Sequence, residues 1–294
     1  MKRKLAIGGV VLAAAVGGAL ALTPPPRLLS WYDQLMGGRE GSYPAATGVP
    51  FGTYGQSLDI WAPNDQRGAP LPVVIFWYGG GWAKGDRASY AFAGRALAKE
   101  GFLVVIPDYR KVPQVRFPAF LDDGAEALRW VQDNVAQYQG DPARVAVMGH
   151  SAGAYQAVML ALDAKRLAAA GVAPDFIKAG VGLSGPYDFH PFTSDRAIAA
   201  FSEWPRPEET QPITFARADA PALLLATSDG DETVRVKNAN NLGAKLKALG
   251  AAVEVKNYGP LTHEEVVMAL SVPFRSKGPV LTDSVAFLRR HLGQ

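Results

Sequence analysis

Cysteine is absent from this sequence, which excludes a disulfide framework, a thiolate metal site and a cysteine nucleophile. Histidine is scarce. The four present, His150, His190, His263 and His291, show none of the paired spacing that a metal centre needs. Neither sign of charge dominates: 30 Lys and Arg stand against 27 Asp and Glu, so no basic field is available for nucleic acid. Lys2, Arg3 and Lys4 supply much of the net +3, and the pI near 9.0 therefore says little about partners. No internal repeat and no low-complexity tract appears beyond the N-terminus. Apolar residues are plentiful, at 48% of 294 positions, enough for the core of one large α/β domain.

The first residues stand apart. Lys2, Arg3 and Lys4 precede an uncharged stretch, Leu5 to Leu22, rich in Ala, Gly, Val and Leu, and Pro24, Pro25 and Pro26 then break any helix. This order is that of an export signal or an N-terminal membrane anchor, assigned here to residues 1–27, with a catalytic domain over 28–294. Ala19-Leu20-Ala21 is the candidate cleavage site. The length of the apolar run and the prolines crowding that site favour the anchor. The positive-inside bias keeps the basic end in the cytoplasm, so the domain is expected to be exported, on the periplasmic side in a Gram-negative source. Membrane contact is expected through this segment only, with no catalytic machinery upstream of Arg27.

Further along, Leu28 to Gly41 reads as a short linker able to dock as a helix, with Trp31, Tyr32 and Leu35 apolar. Ser57 to Ala62 alternates like an edge strand, whereas Val73 to Tyr78 is a continuous apolar run suited to a buried central one. Further strands are expected at Phe102–Ile106, Arg144–Met148, Ala179–Leu183, Pro221–Ala226 and Val253–Tyr258. Helices are expected at Ser89–Lys99, from Pro118 onward, at Ala154–Leu162, Val236–Leu249 and Leu281–Leu292. Strands alternating with helices predict a mostly parallel central sheet covered on both faces.

The chemistry centres on Gly149-His150-Ser151-Ala152-Gly153, which lies between an apolar strand and a run of helix formers. That is the context of a G-x-S-x-G nucleophile elbow, where a serine sits on a strained turn with its hydroxyl exposed. Side chains at the flanking glycines would strike neighbouring backbone. A serine hydroxyl needs a base, and the base an orienting carboxylate. At such elbows these follow in the order Ser, Asp or Glu, His. His150 lies inside the elbow and is expected to point elsewhere, His190 precedes the candidate acids and His291 lies in the last helix. His263, after the final strand, remains. The acid comes from Thr227 to Val234, where Asp231 is preferred for its spacing before the next helix and Asp229 is the rival. The amide of Ala152 and the glycines after the central strand supply oxyanion donors.

These residues form part of an ordered set. Gly79 to Asp86, Pro107 to Arg110, Phe117 to Asp123, Gly140 to Pro142, Gly149 to Gly153 and Gly185 to Asp188 resemble the α/β-hydrolase carboxylesterases related to hormone-sensitive lipase and to bacterial feruloyl-esterase-like (BD-FAE) proteins. The resemblance runs from about Leu58 to the end. It implies an α/β-hydrolase fold, a triad of Ser151, Asp231 and His263, and oxyanion donors at Gly80, Gly81 and Ala152. It further implies an acyl-enzyme mechanism on a small-molecule ester, with no cofactor, no metal and no nucleic-acid partner. Asp108, Arg110, Asp122 and Asp123 match the family's structural polar residues. In one departure, Tyr78 stands where a histidine usually opens the HGGG motif, which bears on the water network behind the oxyanion hole. Tyr78, Trp82 and Tyr187 are the expected substrate contacts. Phe189, Phe192, Phe201 and Trp204 either roof the pocket or fill the core. Two other functions remain open: an arylformamidase-type amidase using the same triad, and a non-catalytic binding module on the same fold.

Overall fold

The computed structural model describes residues 23–65 and 68–293. The expected signal or anchor over Leu5 to Leu22 lies outside the described residues. Among those described, no helix is long and apolar enough to cross a membrane.

The described part opens with helix α1 (Pro25–Asp33) and continues into β1 (Ser42–Phe51), β2 (Gln56–Pro63), β3 (Leu71–Trp77), α2 (Ala91–Lys99) and β4 (Leu103–Pro107). Next come α3 (Ala119–Asn134), β5 (Gly140–His150), α4 (Ala152–Leu162), α5 (Ala164–Ala169) and β6 (Ile177–Leu183). The last third holds α6 (Asp195–Phe201), β7 (Ala222–Thr227), α7 (Lys237–Ala248), β8 (Val253–Asn257), α8 (His263–Met268) and α9 (Val280–Leu292). All eight strands join one sheet in the order β1-β2-β4-β3-β5-β6-β7-β8. Strand β2 runs antiparallel to β1 and β4, and every pairing from β4 through β3 to β8 is parallel. This is the expected α/β-hydrolase architecture.

The order follows from composition. Strands β3, β4 and β7 are near-continuous runs of Val, Ile and Leu, buried on both faces, which only the middle of a covered parallel sheet can accommodate. Strand β1 is the opposite case. Pro44, Pro50 and Gly48 interrupt it, and its register with β2 slips twice, between Pro44 and Ala46 and between Ala46 and Val49. Prolines and bulges are tolerated at an edge, where no second partner demands the missing amides. The segment expected as the edge, Ser57 to Ala62, therefore lies one place inward as β2, paired on both sides. Helices α2 and α9 pack against the sheet and touch each other, while α3 and α4 form another contacting pair.

Helix α1 straddles the expected boundary between residues 27 and 28, and the linker stretch docks as a helix, as its sequence allows. Prolines at its first positions pre-set φ and lack amides that a helix start leaves unpaired anyway. A buried ion pair docks it. Asp33 Oδ2 accepts from Arg95 Nη2 of α2 at 2.7 Å, and the same guanidinium nitrogen donates to the carbonyl of Ser30 at 2.9 Å. The other carboxylate oxygen accepts the amide of Val272 at 2.8 Å. Burial pulls the Arg95 guanidinium below its ordinary value, and Asp33 opposes that pull. Removing one member of such a pair strands the other charge in the interior. We therefore expect Asp33→Ala to lower unfolding stability by about 3–5 kcal/mol in urea denaturation. A loss below about 1 kcal/mol, the range of exposed pairs, would mean that α1 is not part of the cooperative fold.

Candidate active site

Strand β5 runs up the centre of the sheet between β3 and β6 and ends at His150. Ser151 follows with φ 55° and ψ −121°, and α4 begins at the next residue. That φ is costly for a residue with a Cβ, by roughly 1–3 kcal/mol, and it persists because the surroundings dictate it. A Cβ on Gly149 would drive into the carbonyl of Gly153, and one on Gly153 into the carbonyl of Trp77. The turn is therefore as tight as the sequence pattern requires, and it points the serine side chain into a cavity.

His263 is the first residue of α8. Thr262 caps that helix in a reciprocal box: its amide donates to Glu265 Oε2 at 2.9 Å, and its hydroxyl accepts the Glu265 amide at 3.4 Å. Lys277 holds the other oxygen of Glu265 at 2.7 Å. With its backbone fixed in this way, His263 places Nε2 2.8 Å from Ser151 Oγ and Nδ1 2.8 Å from Asp231 Oδ2. Asp231, in the loop after β7, also accepts the amides of Thr233 at 3.0 Å and Val234 at 2.7 Å through Oδ1. Burial would raise its carboxyl, but His263 and the Val234 amide outweigh burial and leave it below the ordinary carboxylate value. The acid and histidine loops are also tied to each other, since Ser228 Oγ donates to the Leu261 carbonyl at 2.7 Å. Asp229 faces outward and accepts from Asn257 Nδ2 at 2.8 Å.

The loop after β3 brings Gly80 and Gly81 to the cavity beside Ser151. Both have positive φ, 139° and 59°, and the carbonyl of Gly80 is turned away to accept the amides of Ala83 and Lys84. The amides of Gly80, Gly81 and Ala152 have no backbone acceptor among the described residues. Ala152 opens α4, so its amide adds the positive end of a helix to the place where negative charge would develop.

The expected substrate contacts divide. Trp82 lines the cavity, its ring stacked on Phe189 at 6.1 Å. Tyr78 does not reach it. Its ring is buried and stacked on Tyr109 at 4.8 Å, and its hydroxyl donates to Asp108 at 2.9 Å and accepts from Lys111 at 3.0 Å. Its position at the end of β3 inside the sheet dictates this, so the residue in the histidine's place is a prop beneath the glycine loop. Tyr187 is also buried, folded back against Gly182 and Gly185. Of the aromatics in the 185–215 insertion, Phe189 lines the cavity. Phe201 is buried in an aromatic cluster with Phe117 and Phe120, against which Phe192 and Trp204 also pack. They are core filling.

The cavity measures about 640 Å³. Three residues of α1 or its immediate start, Pro25, Pro26 and Leu29, form part of its wall with Phe92, Val267 and Met268. Ser151, Asp231 and His263 all lie downstream of Arg27, while Pro25 and Pro26, upstream of it, add to the cavity wall. His150 requires a correction. It does not point away: its Nε2–H donates to the carbonyl of His263 at 3.0 Å, and the two rings lie 4.8 Å apart. A carbonyl can only accept, so this bond fixes the tautomer and leaves Nδ1 toward Tyr90 Oη, 3.4 Å away. A residue adjacent to the serine in sequence therefore holds the backbone of the histidine 113 positions on. No periodicity or spacing signals such a contact.

The family comparison places a BD-FAE model over residues 58–246. Carboxylesterase NlhH of Mycobacterium tuberculosis is 30% identical over 272 residues, covering 86% of this chain and 81% of that protein. Isoprenylcysteine alpha-carbonyl methylesterase ICME of Arabidopsis thaliana is 28% identical over 249 residues, covering 78% of this chain and 58% of that one. The chain thus spans less than two thirds of that relative's length. An esterase from Pyrobaculum calidifontis superposes with a TM-score of 0.71 at 21% identity, covering 90% of this chain and 91% of the other, which shows the shared fold.

Burial, and then the nearby His263, push the His150 pKa down to about 3 from an ordinary value of 6.5. A group depressed in the folded state favours folding above its unfolded value, and that contribution is lost as pH falls. Between pH 6.5 and 3 it should remove stability at up to about 1.4 kcal/mol per pH unit. Urea denaturation across that range should show a shallower acid slope for His150→Phe than for the natural chain. Equal slopes would mean that His150 already binds its proton in the folded protein.

Proposed function

This chain belongs to the BD-FAE family of α/β-hydrolase carboxylesterases, and from that premise we propose that it is a serine esterase acting on small-molecule carboxylic esters. The observation that carries the proposal is the continuous hydrogen-bonded line from Ser151 Oγ through His263 to Asp231, with a distance of 2.8 Å at each step. Ser151 Oγ attacks the acyl carbon while His263 Nε2 takes its proton. Asp231 holds the resulting imidazolium in orientation and compensates its charge. The carbonyl oxygen becomes an oxyanion facing the amides of Gly80, Gly81 and Ala152, which are already fixed and need not reorganise.

Collapse of this intermediate breaks the bond to the alkoxy oxygen, and His263 returns its proton to that leaving group. The alcohol departs and an acyl-Ser151 ester remains. Water then attacks that ester, His263 again takes the proton, and a second collapse releases the acid and restores the hydroxyl on Ser151. None of these steps calls for a cofactor. His150 contributes without touching substrate. Kept neutral by its surroundings, it adds no positive charge beside His263 at the moment His263 becomes cationic. The N-terminal segment is assigned the role of placing this domain outside the cytoplasm, by signal or by anchor.

Steady-state hydrolysis of a water-soluble short-chain ester tests the assignment of the acid. Asp231→Asn should lower kcat by roughly 10⁴, the scale of an orienting-carboxylate loss, because the amide presents the wrong partner to His263 Nδ1. Asp229→Asn should leave kcat within a factor of a few, since only its bond to Asn257 changes. The reverse ranking would transfer the role to Asp229. Parallel assays on an N-formyl amide matched in size separate ester from amide selectivity.

A further inference from the structure

The inner side of helix α1 carries both apolar and polar residues. Pro26, Leu29, Ser30 and Asp33, at positions i, i+3, i+4 and i+7, face inward. A helix at a protein surface normally turns polar residues to the other side. Here the outer side carries Trp31 and Tyr32, and the turn that continues the helix adds Leu35 and Met36. Their exposures are 47%, 46%, 84% and 48%. Four large apolar side chains exposed together in six residues form a patch of the kind that marks an interaction site. The Val272–Lys277 turn extends it, with Phe274 edge-on to Tyr32 at 6.3 Å.

We propose that this outer face of α1, with the adjoining turn, docks on a lipid bilayer surface, and that the esters hydrolysed here are long-chain esters partitioned into that bilayer. Three observations select lipid as the occupant. First, the uncharged stretch Leu5 to Leu22 ends two residues before α1, so any membrane association of that stretch keeps the patch within about 25 Å of the lipid. Second, Trp and Tyr beside aliphatic side chains are what headgroup depth favours, the rings buried and their polar ends wet. Third, the exposed ionic side chains of these two segments are Arg27, Arg39 and Lys277 against Glu40, with Arg275 half-buried, a cationic surround suited to anionic headgroups. Lys277 retains its bond to Glu265.

The substrate class follows from the inner face of the same helix and rests on the esterase reading. Pro25, Pro26 and Leu29 wall the cavity into which Ser151 points. Lipid would therefore lie on one side of α1 and the reacting serine on the other. An acyl chain leaving the bilayer around this helix meets Phe92, Val267 and Met268 and never crosses bulk water.

The cysteine-free sequence makes the test direct. Leu35→Cys in the full chain takes one environment-sensitive fluorophore, and Leu249→Cys serves as the control. Leu249 is also exposed, but it lies just before β8, at the opposite end of the sheet from Ser151. On adding phosphatidylglycerol–phosphatidylcholine vesicles, the label at 35 should shift to the blue and be quenched by shallow doxyl lipids, with no change at 249. Leu35→Glu should lose about tenfold in turnover of a vesicle-embedded long-chain ester. Its turnover of a soluble short-chain ester should be unchanged.

A vesicle-bound chain whose label at 35 stays in water overturns the proposal, as does a chain that binds no vesicles. A blue shift without lipid that grows with protein concentration overturns it in favour of a second copy of this chain. Equal losses on both esters in Leu35→Glu overturn the substrate assignment. If the natural chain hydrolyses neither ester, the esterase reading fails, and the label at position 35 still decides the docking surface.

Discussion

The structure depends on one strained residue. Ser151 adopts a backbone conformation that a side chain disfavours, and two glycines let neighbouring backbone close around it. Such strain survives only where the elements on both sides are rigid. Here they are: β5 sits between two parallel neighbours with Val145 to His150 all buried, and every residue of α4 is buried. The hydroxyl is thus presented from a position that thermal motion cannot easily relax. Its partners can come from loops, provided those loops are tied down.

The ties are specific. The Asp231 loop is held by Ser228 to Leu261, and the His263 loop by the Thr262–Glu265 box and by His150. His150 closes the circuit, because it belongs to the elbow itself and grips the carbonyl of the histidine that serves the elbow's serine. Tyr78 plays the matching part beneath the glycine loop, fixed by Asp108 and Lys111. Asp108 also pairs with Arg87, which reaches Asp59 on β2. The glycine loop after β3 is therefore braced by buried and half-buried charge behind it. On the open side, α1 completes the cavity and is itself anchored by the Asp33–Arg95 pair.

The legible parts of the sequence were those whose physics is local. The elbow could be read because the steric need for glycine at 149 and 153 is written within five residues. Strands β3, β4 and β7 could be read because short continuous apolar runs bounded by turn residues admit few alternatives, and His263 because chain order eliminated the other histidines. What stayed hidden depends on distant partners. Strand β1, with its prolines and glycine, has little intrinsic strand character and exists because β2 offers it an edge. Helix α1 was legible as a segment able to dock, but the pair that docks it was not, because Asp33 and Arg95 lie 62 positions apart. Tyr78 and Tyr187 were misplaced for a related reason: proximity in sequence to a site does not say on which side of the backbone a ring lies.

The central claim is that Ser151 is an activated nucleophile, and covalent capture tests it most directly. A fluorophosphonate phosphonylates only a serine whose proton can be removed and whose oxyanion is stabilised, with fluoride as the leaving group. Digestion and peptide mapping of the full-length chain should place the adduct on Ser151. Ser151→Ala should abolish labelling while leaving the unfolding transition intact. An adduct on another residue, or none on correctly folded protein, would contradict the account.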